Sequence, residues 1–116
     1  MEKTIRMPKV LLDKWLVALR SGQFQQGRAR LESCGAYCCL GVLQAVADGD
    51  VERHEDGTAG LYPKNGWMAA HGIEHLRGVG WDVYLPSLRT CASNANDDGL
   101  SFAEIADAIE ACAEGV

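Results

Sequence analysis

The stretch Tyr37-Cys38-Cys39-Leu40-Gly41-Val42-Leu43-Gln44-Ala45-Val46-Ala47 decides the fold of this chain, because almost every member is apolar and no face of it is hydrophilic. A segment that is hydrophobic all round is buried on most sides, so this one belongs near the centre of the domain. Helix is the preferred assignment, with Tyr37 to Val42 left open as the start of a strand, since periodicity does not decide a short apolar run. Gly41 inside the run would let a second backbone approach closely. Asp48-Gly49-Asp50 then stops it.

Working outward, Pro8 opens an upstream helix, where a proline at the first helical position loses no needed hydrogen bond. Leu12, Trp15, Leu16 and Leu19 follow at i, i+3, i+4, i+7 and turn one apolar stripe toward the core. Ser21-Gly22 ends that helix. Between the two segments, Gly27-Arg28-Ala29-Arg30-Leu31 alternates as a short strand does. Downstream, residues 50–66 are rich in glycine and charge, and Glu55-Asp56-Gly57-Thr58 and Lys64-Asn65-Gly66 are turn signals that predict a small hairpin. Trp67 to Leu76 reads as a helix weakened by Gly72 and broken by Gly78-Val79-Gly80. Pro86 opens a further short helix from Ser87 to Ala95, and Asn96-Asp97-Asp98-Gly99 reads as a loop. The last helix is the best marked: Ser101 and Glu104 have capping-box spacing, and Phe102, Ile105, Ala106, Ile109 and Cys112 make one apolar stripe. These elements predict an α+β fold, a mostly helical single domain over residues 1–116 with a small β-hairpin or sheet.

A chain of 116 residues with 47% hydrophobic content supports one real core. No apolar run approaches the roughly 18 to 20 residues of a membrane span, and the N-terminus lacks the apolar core of a signal peptide, so a cytoplasmic protein is expected. Five cysteines, an odd number with Cys38 and Cys39 adjacent, fit free thiols packed as small hydrophobes better than a disulfide framework. Residues 1–50 carry seven basic and five acidic side chains, whereas 51–116 carry four and eleven, so the net charge of −5 arises in the second half. No Lys or Arg follows Arg89. A broad nucleic-acid face is therefore not expected. Arg20, Arg28 and Arg30 form a local basic cluster suited at most to a phosphate.

Three motifs lie in order along the chain: Trp15 through Ala18-Leu19-Arg20-Ser21-Gly22 to Gln26, then Tyr37-Cys38-Cys39-Leu40-Gly41-Val42-Leu43, then Asn96-Asp97-Asp98-Gly99-Leu100-Ser101-Phe102-Ala103-Glu104-Ile105-Ala106. In this order they resemble a family of small bacteriophage and prophage accessory proteins, which reads W-x-x-ALRSG-x-(Y/F)-x-Q, CCLGVL and ND-x-G-x-SF-x-EIA. The resemblance implies a phage setting in a bacterial host and carries no established activity.

Several residues are of types that carry chemistry. Cys38 and Cys39 sit near the start of the central helix, where the macrodipole lowers a thiol pKa, and His54, His71 and His75 lie downstream. A cysteine-dependent hydrolase is therefore one alternative function, although no hydrolase motif surrounds the pair. Cys34 and Cys38, with His71 and His75, have ligand-like spacing, but the long separation favours the absence of a metal. Asn96-Asp97-Asp98-Gly99 lacks the register of a calcium loop. Neither a Walker loop nor GxGxxG occurs, so no cofactor is expected.

The best fit is a non-enzymatic accessory protein that binds a host protein, such as an anti-CRISPR or other anti-defence inhibitor. Glu104, Asp107, Glu110 and Glu114, expected on the exposed side of the last helix, form one candidate partner surface. Trp67, Trp81 and Tyr84, near glycine-rich turns, are either lids over the core or another such surface. A nucleotide-signal sponge, using the three arginines with a stacking aromatic, is the further alternative.

Overall fold

The computed structural model describes residues 2–77 and 80–116. The fold is α+β, with helix the larger share. The chain runs β1 (Ile5–Met7), α1 (Lys9–Ser21), β2 (Gln25–Gln26), β3 (Glu32–Ser33), β4 (Ala36–Tyr37), α2 (Cys39–Asp48), α3 (Trp67–Ala70), β5 (Glu74–His75), β6 (Tyr84–Leu85), a 3₁₀ turn (Pro86–Leu88), β7 (Thr90–Cys91), α4 (Ala92–Asp97), α5 (Phe102–Cys112) and β8 (Ala113–Gly115). Among the described residues the strands form three small sheets, ordered β5-β1-β8, β2-β4-β3 and β6-β7.

α2 occupies the centre. Its Cys39, Leu40, Val42 and Leu43 are each at most 1% exposed. α1 packs against both α2 and α5, with Leu12, Trp15, Leu16 and Leu19 facing inward and the Trp15 indole N–H donating to the Cys39 carbonyl at 2.9 Å. α1 ends at Gly22, whose φ of 76° is a left-handed cap that glycine adopts without steric cost. At the other end of the chain, α5 starts with the full capping box, Ser101 accepting from Glu104 N–H and Glu104 from Ser101 N–H. Its stripe of Phe102, Ile105, Ala106, Ile109 and Cys112 is buried. β8 follows α5 directly and lies parallel to β1, so the two ends of the chain meet in one sheet.

Gly41 is where a second backbone approaches. A Cβ built there would lie 1.8 Å from the Leu31 carbonyl oxygen, which itself accepts the Cys38 N–H at 3.3 Å.

Several elements differ from the sequence expectation. Gly27 to Leu31 is not a strand: Ala29 takes a φ of 69°, and the Arg30 N–H turns back to the Arg28 carbonyl at 2.8 Å. The helix expected from Trp67 to Leu76 stops at Ala70, and Glu74–His75 pairs with β1 instead. The break assigned to Gly78-Val79 lies outside the described residues. The single helix expected after Pro86 is divided by Arg89, which takes a left-handed φ of 56° and lets Thr90–Cys91 pair back onto Tyr84–Leu85. Asn96 and Asp97 belong to α4 rather than to a loop. Glu114 is in β8, not on the last helix.

Candidate functional site

The expected hairpin is a short one, closed by the Arg53–Ala59 bridge and the His54 N–H bond to the Thr58 carbonyl. It hands the chain to Gly60, whose carbonyl accepts the buried Leu31 N–H at 2.9 Å, and then to Leu61 and Tyr62. Anchored on one side by that bond and followed by the buried Pro63, Leu61 and Tyr62 project outward, 55% and 50% exposed. The Tyr62 ring stacks on Trp81, with centroids 4.8 Å apart and planes 16° from parallel.

Three clefts of about 610, 460 and 320 Å³ adjoin there, and Tyr62 lines all of them. The lining of the largest includes Arg53, His54 and Lys64, with Glu52 3.7 Å from the Lys64 ammonium. Trp81 separates the other two: one reaches His75, and the other contains Cys38, Ser93, Asn94 and Asp97. An exposed aliphatic and aromatic edge at the mouth of several clefts is the kind of surface that recognises another molecule.

Cys38 sits at the N-cap of α2, where its sulfur accepts the Gly41 N–H at 3.4 Å. Burial nonetheless pushes its thiol up, outweighing the N–H groups at the helix start, and it pushes the enclosed Cys39 thiol well above the ordinary range. The N-terminal position therefore does not produce the low-pKa thiolate that a nucleophile needs. No histidine is among the described residues lining the Cys38 cleft. Below it, Asp82 caps α4 from outside by accepting both the N–H and the hydroxyl of Ser93.

His71 takes part in a separate cluster. Its Nδ1 lies 2.9 Å from the Trp67 carbonyl and its Nε2 2.6 Å from Asp48 Oδ1, while Asp48 Oδ2 accepts the Trp67 indole N–H at 2.9 Å. Both ring nitrogens face acceptors, so only the imidazolium satisfies both bonds. Burial by itself lowers the His71 pKa, but the Trp67 carbonyl and the Asp48 carboxylate raise it above the ordinary value. A raised folded-state pKa contributes stability that is fully present below about pH 6.5 and is lost as pH climbs through the folded value. Wild type should therefore lose its advantage over His71→Gln as pH rises through that window. Urea denaturation at a series of pH values checks this, and a difference independent of pH would mean that His71 is neutral in the fold.

The residues singled out from sequence do not all meet. Asp107 and Glu110 both accept from Arg20, at 2.7 and 3.0 Å, Glu114 pairs with Arg6 at 3.2 Å, and Glu104 closes the capping box. Replacing Asp107 and Glu110 by Lys would thus set like charges against Arg20 as well as change the surface. Trp67 is only 4% exposed and packs its ring on His71, so it is a core residue. Tyr84 lies under the Arg77 guanidinium, 4.2 Å from the ring centroid, which leaves Trp81 as the member of that trio in the cleft.

Arg20 is committed to α5 and Arg30 to the Ala59 carbonyl. Neither lines the clefts at Tyr62, nor does Arg28. Cys34 is exposed in a turn with a φ of 53°, contrary to the expectation that every thiol packs inside. His75 bonds the Asp82 carbonyl and His71 is held by Asp48, so the four ligand-spaced residues do not converge. Leu61 and Tyr62 are site residues that sequence reasoning misses. Their signal is an apolar pair placed between Gly60 and Pro63, where a loop has little core to enter.

Residues 7–60 match the model of a domain of unknown function, DUF8296. The matched stretch contains α1, α2 and the close contact of Gly41 with Leu31. No curated protein and no solved structure matches the chain.

Proposed function

We propose that this chain is a bacteriophage or prophage accessory protein that binds a host protein, and that it does so through the edge formed by Leu61, Tyr62 and Trp81. The observation that carries the reading is the exposure of Leu61 and Tyr62, 55% and 50%, on a stacked aromatic pair where three clefts meet. Large side chains of this kind anchor protein interfaces, and a tyrosine stacked on a tryptophan is already held in place before the partner arrives. The phage setting rests on the three ordered motifs around Trp15, Cys38 and Phe102. A small phage protein working by stoichiometric capture in the host cytoplasm fits an anti-CRISPR or other anti-defence inhibitor. The raised Cys38 thiol and the cleft around it favour binding over cysteine-dependent hydrolysis. Among the described residues no helix is long and apolar enough to cross a membrane.

Affinity capture from bacterial lysate tests the reading. A host protein enriched by the wild type should be lost with Tyr62→Ala and with Tyr62→Ala/Trp81→Ala, while the circular dichroism of the single variant stays native. Undiminished capture by the folded variants would overturn the assignment to this edge and turn attention to the α5 surface of Glu104, Asp107 and Glu110.

A further inference from the structure

We infer that the 320 Å³ cleft beside Trp81 takes the guanidinium group of a partner arginine, stacked on the aromatic pair and paired with Asp97. The inference rests on the binding reading above and names the chemistry of what is bound. One wall of the cleft is Tyr62 and Trp81, whose π faces attract a cation, tryptophan most strongly. Asp97, Asn94 and Ser93 also line it.

Among the described residues, Asp97 is the only carboxylate side chain lining this cleft, and no Lys, Arg or His lines it. The larger cleft on the other side of Tyr62 differs in having Arg53 and Lys64 in its lining, together with Glu52. Asp97 uses Oδ1 for the Ala29 N–H at 2.9 Å, and among the described residues its second oxygen accepts no hydrogen bond. Asp82 adds a second carboxylate behind Ser93. Burial is the main reason the Cys38 thiol is pushed up, and the charges of Asp97 and Asp82 push it the same way, in keeping with a negative potential.

A planar guanidinium both stacks on an aromatic face and directs parallel N–H groups to a carboxylate, which an ammonium cannot do as well. The net charge of −5 assists the approach of a basic partner surface.

The test titrates ¹⁵N-labelled protein with N-acetyl-arginine methylamide and with its uncharged analogue, N-acetyl-citrulline methylamide. The Trp81 indole N–H signal should move with arginine, and citrulline should bind about tenfold more weakly, the equivalent of one charge-assisted hydrogen bond. Asp97→Asn keeps an acceptor for Ala29 and should weaken arginine binding by a similar factor. Equal responses to the two amides, an unmoved Trp81 signal, or undiminished binding by Asp97→Asn would each overturn the inference. The citrulline comparison needs only wild-type protein, so it stands even if the variant folds poorly. If lysate capture depends on Tyr62 while arginine leaves Trp81 unmoved, the binding reading survives and the arginine assignment falls. If capture ignores Tyr62 while Trp81 responds to arginine and not to citrulline, the arginine assignment survives and the reading of this edge as the host-protein interface falls.

Discussion

Replacing Gly41 by alanine is expected to cost more than about 3 kcal/mol and to leave little native protein, the upper end of what overpacking does to a core. Helix propensity alone points the other way, since alanine inside a helix is favoured over glycine by about 1 kcal/mol. The contact decides the sign. The new methyl carbon would stand 1.8 Å from the Leu31 oxygen and 2.7 Å from its carbonyl carbon, so backbone would have to move, and this backbone is held from several directions. The Leu31 side chain is 1% exposed, its N–H bonds to Gly60, and its carbonyl takes the Cys38 N–H. Moving Leu31 away would break the seam that joins α2 to the Leu61-Tyr62 edge. Urea denaturation of Gly41→Ala gives the answer, and a neutral or stabilised variant would show that Leu31 does not approach α2 in this way.

Asn96→Ala should cost about 3 to 5 kcal/mol, because it strands several buried groups at once. Asn96 is 1% exposed. Its Oδ1 accepts from the Cys39 N–H at 3.2 Å and from the Gln26 amide at 3.1 Å, and its Nδ2 donates to the Gly27 carbonyl at 2.7 Å. One side chain of α4 thus satisfies an open N–H at the start of α2 and ties β2 and the turn after it to both helices. Alanine leaves the Cys39 donor and the Gly27 acceptor without partners in a place with little access to water. Asn96→Asp is expected to be no better, since it sets a carboxylate oxygen against the Gly27 carbonyl. Chemical denaturation measures both variants. A loss below about 0.5 kcal/mol, the range of ordinary surface substitutions, would remove Asn96 from its place as a hub.

The candidate site is less legible in the sequence than the fold. The glycine-rich neighbourhood of Trp81 leaves it either a lid over the core or part of a binding surface, and the structure places it half-buried against the core with its ring stacked on Tyr62. Tyr62, Trp81 and the α4 pair Ser93 and Asp97 come from three different segments, and only the chain path through Gly60 and α4 brings them to one cleft. Helical spacing makes the acidic residues of α5 an exposed face, and Asp107 and Glu110 are exposed, yet Arg20 from the end of α1 pairs with both. No local pattern carries that pairing, because the partners are 87 and 90 positions apart.

Local chemistry is enough for α1, α2 and α5. A 3.6-residue apolar period, an all-apolar run, a capping box and Gly22 each act over a single turn or helix face, and the buried residues of all three helices follow them. The close approach at Gly41 is also visible, because a glycine within an apolar helix has few other uses. Tertiary structure decided the strands. β1, β5 and β8 are two or three residues each and gain their hydrogen bonds only from partners at distant points in the chain, so nothing in their own sequence marks them. It also decided the fate of Trp67 and Asn96: whether a polar or aromatic side chain is exposed or buried depends on which groups arrive beside it, Asp48 and His71 in one case, Cys39 and Gly27 in the other.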